Sequence, residues 1–288
     1  MARRRQLFPT DHGLTLRMVA AAVATPLVVV AAVVLVVLVA PLKLIIGLAI
    51  ASIIGIVIAV RERASAAGWV AIPPDEQPEL HAIVERLCVV ADLPKPQLAI
   101  DYEKHPNSWV VSLGRGRARL HVTKALLDRL DAHQLEAVIG HELAHIANRD
   151  STVMTVVGGP AAILVGGGAR GARIGVFPLN AGAVIAMVIG AVASVGSLAL
   201  SRYREFAADA GAVALTGNPA ALASALMAVS DDVRKLPERD LREAVARDPF
   251  HLLPVGKTRG LLASHPSLDA RIPRLERLEA RLQTFKRP

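Results

Sequence analysis

Two histidines of the sequence, His141 and His145, are spaced to bind one metal ion. They are four residues apart, so on a helix both imidazoles lie on one face, one turn from each other. Two nitrogen ligands of a single zinc ion need this spacing. Glu142 follows His141 directly and can lie beside the metal, where it can take a proton from a metal-activated water. The pattern His-Glu-x-x-His therefore predicts a zinc site with Glu142 as the catalytic base.

The segment that carries this pattern is predicted to be a helix over 132–149. Asp131 is a good N-cap, and Gln134 stands three residues later in the capping-box position. Apolar residues recur at helical spacing through the segment, and Glu142 is the one acidic or basic side chain of 137–147 apart from the histidines. A chance match on an amphipathic helix is the alternative. The cap and the uncharged flanks favour the metal site, because a polar cluster on a buried helix needs a partner.

A third ligand is predicted on a second helix. The extended pattern His-Glu-x-x-His-x-x-Gly-x-x-His is excluded, because Asn148 and Ser151 stand where it needs Gly and His. Glu205 can complete the site, and Asp209, four residues on, can accept a hydrogen bond from the outer nitrogen of a zinc histidine. The alternative is a surface helix with two solvated carboxylates. The sequence thus predicts one Zn²⁺ per chain, held by two histidines and one glutamate.

Four long segments of the chain carry no acidic or basic residue. A helix that crosses a bilayer needs about 20 apolar residues, and the first and fourth segments meet that length. The second is short, and the third contains Gly158-Gly159-Pro160, which disfavours a regular helix and leaves a re-entrant segment as the alternative. The segments pair into two hairpins and are residues 18–42, 44–60, 151–169 and 174–201.

Basic residues predict which side of the membrane each end of the first hairpin occupies. Arg3, Arg4, Arg5, Arg17, Arg61 and Arg63 flank its outer ends, and only Lys43 lies at its turn. The positive-inside rule therefore predicts a multi-pass protein of the cell membrane with both ends of this hairpin in the cytoplasm. If the second hairpin also returns to the side it left, Glu205 can reach the two histidines on the cytoplasmic face.

The predicted organisation follows from these segments. The N-terminal region and first hairpin occupy 1–63, the first part of the metal-binding domain 64–150, the second hairpin 151–201, and the rest of the domain 202–288. Within the domain, short strands are expected at 97–102, 107–113 and 118–123, forming a small antiparallel sheet. Helices are expected at 78–92, 124–130, 132–149, 202–214, 218–235 and 267–283. The fold class is a mainly α membrane protein with a cytoplasmic α+β domain.

Net charge and cysteine content limit the classes of partner and the cellular compartment that the sequence predicts. The formal net charge of +8 would suit nucleic acid, but no nucleic-acid-binding motif accompanies it, and basic residues next to anionic lipid explain it. Cys88 is the single cysteine, so no disulfide forms within the chain, as expected in a reducing cytoplasm. The lipid bilayer is a predicted partner, nucleic acid is not, and nothing in the sequence indicates an oligomeric state.

At this point the chain resembles HtpX-type membrane zinc metalloproteases, which are gluzincin-like and more distantly similar to CAAX prenyl proteases. The resemblance rests on the two hairpins, on His-Glu-Leu-Ala-His-Ile-Ala-Asn-Arg-Asp, on Arg-Glu-Phe-Ala-Ala-Asp and on Ser-His-Pro near the end. It implies cleavage of misfolded, unfolded or membrane proteins from the cytoplasmic side. It also implies zinc held by His141, His145 and Glu205, with Glu142 as base.

The same resemblance suggests further contacts to substrate or transition state from His265, Arg271 and Asn107. On the sequence alone, a structural role is favoured for both His265 and Arg271. The family usually has Asn-Ala-Phe-Ala-Thr-Gly beside the cleft, whereas residues 107–112 read Asn-Ser-Trp-Val-Val-Ser. This strand could bind an extended substrate by β-addition or be an ordinary core strand. The alternative functions are a CAAX-type processing protease and a non-catalytic membrane scaffold with a structural zinc.

Overall fold

The computed structural model describes residues 12–66, 71–112, 118–177, 179–235 and 265–286. The predicted basic cluster Arg3–Arg5 lies outside these residues, as does Leu113 at the end of the second predicted strand. The helices in chain order are α1 (His12–Val39), α2 (Leu42–Ala66), α3 (Pro78–Ala91), α4 (Lys124–Arg129), α5 (Ala132–Asn148), α6 (Asp150–Gly171), α7 (Leu179–Thr216), α8 (Pro219–Lys235) and α9 (Leu268–Lys286). The strands are β1 (Gln97–Asp101), β2 (Ser108–Ser112) and β3 (Ala118–Thr123).

The chain divides into two compact units. The sheet unit takes its described residues from Met1–Leu14, Val70–Thr152 and Ser201–Pro288, and the helical unit takes them from Thr15–Trp69 and Val153–Leu200. The prediction of a mainly α protein is confirmed, with one small sheet among the described residues.

Three helices are long and apolar enough to cross a membrane, namely Thr15–Val39, Asp150–Ile174 and Asn180–Thr216. The second predicted hydrophobic segment forms a shorter apolar helix, Leu42–Ile58, at the start of α2. The four predicted segments are therefore all helical, and within the described residues three of them have spanning length. The Gly-Gly-Pro sequence at 158–160 does not break α6, which runs unbroken from Asp150 to Gly171.

The fourth segment differs from the expectation at its end. A separate helix was expected at 202–214, but α7 runs without interruption from Leu179 to Thr216. No residue between Ser201 and Gly211 ends a helix, since that stretch lacks both Pro and an internal Gly. One helix of 38 residues thus joins the fourth hydrophobic segment to Glu205.

The sheet is mixed, so the prediction of an antiparallel sheet is wrong. Its strand order is β1-β3-β2, with β2 antiparallel and β1 parallel to β3. The prediction assumed that strands adjacent in sequence are also adjacent in space. Instead β3 lies between the other two, and the chain reverses direction twice between β1 and β3, so these two run the same way. Among the described strands β2 is an edge strand next to α5.

The helices that surround the sheet have clear local signals. Pro78 opens α3 at a position where a missing N–H costs nothing, and Thr123 caps α4 by accepting from the Leu126 amide at 3.2 Å. Large apolar side chains of α3, β1, β3, α4, α5 and α8 form one core. It is dominated by Leu80, Leu87, Leu98, Leu120, Leu126, Ile139, Leu143, Leu222 and Leu226. This core holds α5 against the sheet.

Candidate metal centre

The helix that carries the two histidines is α5, and its N-terminus is capped as predicted. The Asp131 side chain accepts from the Gln134 amide at 2.9 Å, and the Gln134 side chain accepts from the Asp131 amide at 3.1 Å. One turn apart on the buried face, the Nε2 atoms of His141 and His145 lie 3.1 Å from each other. Their rings are nearly perpendicular, with centroids 4.7 Å apart. Both nitrogens therefore point at one shared position.

Glu205 on α7 faces the same position. Its Oε2 lies 3.5 Å from His141 Nε2, and its Oε1 lies 3.6 Å from His145 Nε2. Side-chain atoms of these three residues lie within 4.8 Å of one another, which makes them a group that could hold a metal ion. A tetrahedral zinc ion with bonds of about 2.0–2.2 Å keeps its ligand atoms about 3.3–3.6 Å apart. The donor set and its spacing therefore fit zinc.

Electrostatics around the group also suit a cation. Burial lowers the pKa of His141, but the neighbouring carboxylates of Asp209 and Glu205 outweigh burial and raise that pKa to about 9. The Glu205 side chain is 5% exposed, and its Oε2 accepts no hydrogen bond from the described residues. Arg271 Nη1 lies 3.7 Å from this oxygen, beyond hydrogen-bond distance, so a metal ion would supply its direct partner.

Small residues let α5 and α7 come together at this point. A Cβ added to Gly140 would lie 3.2 Å from Thr216 Cγ2 and 3.5 Å from the Ala212 backbone, so the helices nearly touch there. Ala208, another small residue of α7, is fully buried. Because Gly140 precedes His141 directly, this contact brings α7 within ligand distance of the histidines.

Each histidine also touches an aspartate on its outer side. His141 Nδ1 lies 3.0 Å from Asp209 Oδ1, and His145 Nδ1 lies 2.6 Å from Asp150 Oδ2. A carboxylate on Nδ1 fixes the imidazole so that Nε2 is available to a metal. Asp209 thus lies beside the outer nitrogen of His141, and Asp150, the first residue of α6, lies beside that of His145.

Glu142 lies next to the ligands on the same helix and is 3% exposed. The Ser108 hydroxyl, at the start of β2, donates to Glu142 Oε1 at 2.7 Å. Burial raises the pKa of the Glu142 carboxyl above its ordinary value, and the two histidines and the Ser108 hydrogen bond oppose that rise without cancelling it. A carboxyl with a raised pKa beside a metal site is suited to take up and return a proton.

Comparison with known proteins now identifies this arrangement. Residues 74–279 match Peptidase family M48. The chain belongs to peptidase family M48. It is 39% identical to a Protease HtpX homolog of Moorella thermoacetica, over 74% of this chain and 76% of that protein. It is 40% identical to Protease HtpX homolog 1 of Streptomyces coelicolor, over 72% and 73% of the two chains.

A solved structure shares the fold of this M48 peptidase. The crystal structure of S. mikatae Ste24p superposes with a TM-score of 0.50 at 16% identity, covering 94% of this chain and 67% of that one. At this identity the likeness concerns the fold alone. The family match and the ligand geometry together confirm the predicted resemblance: the chain is an HtpX-type metalloprotease with membrane helices.

The remaining predicted contacts of the M48 site lie in different settings. His265 is buried, with Nε2 4.0 Å from Glu205 Oε1. Arg271 on α9 is fully buried and forms a two-pronged pair with Asp209, and its Nη1 lies 3.7 Å from Glu205 Oε2. Asn107 is buried just before β2, where its backbone N–H donates to Thr123 Oγ1 at 2.8 Å and its carbonyl accepts from the Thr123 amide at 2.9 Å.

Three residues of the M48 site were not singled out from the sequence. Asp150 and Arg204 contact each other at 3.0 Å beside His145, and Ser108 donates to Glu142. Weak signals existed: Asp150 closes the His-Glu-x-x-His segment, Arg204 precedes Glu205 directly, and Ser108 replaces an Ala of the family pattern. None of these signals indicates which side chain the residue contacts, because the contacted side chain lies on another helix or strand.

Proposed function

We propose that this M48 peptidase is a zinc endopeptidase of the cell membrane that cleaves unfolded, misfolded or membrane proteins at the cytoplasmic face. The observation that carries the proposal is the triangle of ligand atoms, with separations of 3.1, 3.5 and 3.6 Å, beside the buried Glu142. In this proposal one Zn²⁺ is held by His141, His145 and Glu205.

Three protein ligands favour a catalytic over a structural zinc. Structural zinc sites are normally closed by four protein ligands, whereas catalytic sites keep one position open. The group found among the described residues comprises three ligands. When bound, zinc lowers the pKa of water and polarises a carbonyl group. This argues against a non-catalytic scaffold.

Glu142 is the proposed general base. It sits beside the ligand pair rather than within it, and its Oε1 is occupied by the Ser108 hydroxyl. This contact orients the carboxylate, which takes a proton from the attacking water and delivers it to the leaving amine. The raised pKa of Glu142 suits the second step, because the protonated form must persist until the amine leaves.

The edge strand β2 supports an extended substrate. It pairs with β3 on one side, and among the described strands none covers its other side. A substrate chain added there would form main-chain hydrogen bonds that do not depend on side-chain identity. Such binding suits unfolded proteins, which expose backbone that a folded protein does not. The proposed further contacts are Asn107, just before β2, and His265 and Arg271, which both lie beside Glu205.

The membrane placement is proposed from composition and chain direction. Three helices have spanning length, and the basic residues predicted to flank the first hairpin favour a cytoplasmic site. In this placement the ligands on α5 and the ligand on α7 face the cytoplasm. Newly made and misfolded membrane proteins expose their cytoplasmic segments there.

The decisive experiment compares wild type with Glu142→Gln. Purified protein is analysed for zinc and incubated with a permanently unfolded protein substrate. We expect Glu142→Gln to keep one zinc per chain and to lose hydrolysis, because a base is lost and no ligand is. Glu136→Gln is the matched control, since this residue lies on the same helix and pairs with Arg86 at the surface. Loss of zinc from Glu142→Gln, or retained hydrolysis, would refute the assigned role.

A further inference from the structure

Each histidine of the centre contacts a buried aspartate, and each aspartate contacts a buried arginine. We propose that both arginines are positioning residues for the metal, each acting on one histidine through one aspartate. The Arg271 chain is Arg271–Asp209–His141, and the Arg204 chain is Arg204–Asp150–His145. This inference rests on the proposed zinc function of the site and extends it to residues outside the ligand set.

The Arg271 chain is the more tightly built of the two. Arg271 Nε donates to Asp209 Oδ2 at 2.9 Å, and Nη2 donates to Oδ1 at 2.6 Å. The same Oδ1 lies 3.0 Å from His141 Nδ1. Arg271 and His141 are 0% exposed and Asp209 is 3% exposed, so water cannot replace any of these contacts. The two-pronged geometry fixes the plane of the carboxylate as well as its position.

The Arg204 chain has the same order of groups and a looser first link. Arg204 Nε lies 3.0 Å from Asp150 Oδ1, an ion pair through one nitrogen. The other oxygen of Asp150 lies 2.6 Å from His145 Nδ1. Asp150 is 1% exposed and Arg204 is 8% exposed. Arg204 is the residue just before the ligand Glu205, so α7 supplies one ligand and, one residue earlier, the support for another.

Each arginine stabilises a buried aspartate. An aspartate buried beside an imidazole is unfavourable on its own, because desolvation of a carboxylate costs several kcal/mol. Without its arginine the aspartate would turn toward any other donor or draw in water, and the imidazole would lose its fixed orientation. The arginine therefore keeps the aspartate in place, and the aspartate keeps Nε2 of the histidine aimed at the metal position.

The Arg271 chain and the Arg204 chain connect the metal centre to different parts of the sheet unit. Arg271 belongs to α9, the last helix of the chain, and Asp150 is the first residue of α6. The cation–π contact of Arg274 with Phe206, 3.8 Å from guanidinium carbon to ring centroid, also joins α9 to α7. Docking of α9 is thus part of metal binding, although α9 supplies no ligand to the group of three.

The test measures zinc affinity rather than activity. Zinc dissociation constants are determined by competition with a chromophoric chelator for wild type, Arg271→Gln and Arg204→Gln. We expect each variant to bind zinc about 10–100-fold more weakly, as losses behind metal ligands do, with the larger effect for Arg271. Arg86→Gln is the matched control and should bind like wild type, because it removes an exposed ion pair to Glu136 on the same α5 helix.

Conservative variants separate positioning from simple folding. Arg204→Lys should recover most of the affinity, since its link is through one nitrogen, whereas Arg271→Lys should recover little, since it loses the two-pronged contact. If Arg271→Gln does not fold, the charge-neutral pair Asp209→Asn with Arg271→Gln is used, and the Co²⁺ absorption spectrum reports the ligand geometry. Because the chains share no residue, the double Arg→Gln variant should multiply the single effects.

Three results would overturn the inference. They are wild-type zinc affinity in both Arg→Gln variants, equal recovery by both lysines, and an unchanged Co²⁺ spectrum in every folded variant. A wild-type protein that binds no zinc is a different outcome, because it refutes the proposed function itself.

Discussion

The sheet unit and the helical unit bury their helices by opposite means. The sheet unit packs large apolar side chains, such as Leu80, Leu120 and Leu126, each at most 2% exposed. The helical unit packs backbone against backbone. A Cβ added to Gly167 would lie 1.8 Å from the Ala51 carbonyl oxygen, and one added to Gly55 would lie 2.1 Å from that of Ile163. Large side chains dominate the core of the sheet unit, whereas glycines in the helical unit let helix backbones touch beside its smaller apolar cluster.

The sheet unit and the helical unit also differ in the charge of their buried side chains. The buried polar side chains described for the helical unit are the hydroxyls of Thr25 and Ser197, whereas the sheet unit buries Arg271, Glu205 and Asp209 together. Water drives large apolar side chains into a core, but lipid gives no such drive, so helices of a membrane region associate through small residues and close van der Waals contact. The difference supports a membrane setting for the helical unit and an aqueous one for the metal centre.

The largest expected effect comes from removing the third metal ligand of the sheet unit. Glu205→Ala should lose stoichiometric zinc and all hydrolysis, because a ligand and its charge disappear together. Asp209→Asn should weaken zinc about 10–100-fold instead. Metal analysis after dialysis separates the two. Glu276→Ala, an exposed position of α9, serves as control, and normal zinc content in Glu205→Ala would move the third ligand elsewhere.

The next prediction breaks the packing of the helical unit. Gly167→Val places side-chain atoms on the Ala51 carbonyl, so α2 and α6 must separate, and overpacking of this kind costs about 1–3 kcal/mol or more. We expect a lower unfolding midpoint in detergent and less protein in the membrane.

Gly159→Ala is the matched control in the same helix. No atom lies within 4 Å of a Cβ at Gly159, so alanine should leave stability unchanged or raise it by up to about 1 kcal/mol. Equal destabilisation by Gly167→Val and Gly159→Ala would contradict the packing by close backbone approach.

A smaller effect concerns the base. Ser108→Ala removes the hydrogen bond to Glu142 and should lower kcat about tenfold, with KM and zinc content nearly unchanged, because a hydrogen bond to a charged group contributes about 1.5–3 kcal/mol. Ser224→Ala is the control. It removes a hydroxyl group on α8 that accepts a hydrogen bond from the Gln134 side chain at 2.6 Å. A higher KM at unchanged kcat would assign Ser108 to substrate binding.

The final prediction concerns the chemical reactivity of the sheet unit and tests whether water is excluded from its core. Cys88 is 3% exposed, and burial raises the pKa of its thiol from 9.0 to about 11. A raised pKa leaves less thiolate at pH 8, so alkylation in the folded protein should be at least about 100-fold slower than in urea. Rates are followed by mass spectrometry. Val89→Cys in a Cys88→Ser background, at a neighbouring position that is 77% exposed, should react fast in both conditions.

Local periodicity in the sequence was enough to predict the helices and the ligand candidates. His141 and His145 share a face of α5 because four residues are about one helical turn, and Asp131 caps that helix through its neighbour Gln134. These features depend on residues a few positions apart, so the sequence by itself determined them.

Tertiary structure alone decided what lies far apart in sequence. The place of β3 between β1 and β2 depends on pairing across the sheet, and no local signal distinguishes it from an antiparallel order. The continuity of α7 into the Glu205 segment, the partners of Asp150 and Arg204, and the contact of Ser108 with Glu142 likewise follow from packing. Residue type and spacing state which groups can bind or ionise, but the desolvation and geometry that select their partners exist only once the chain has folded.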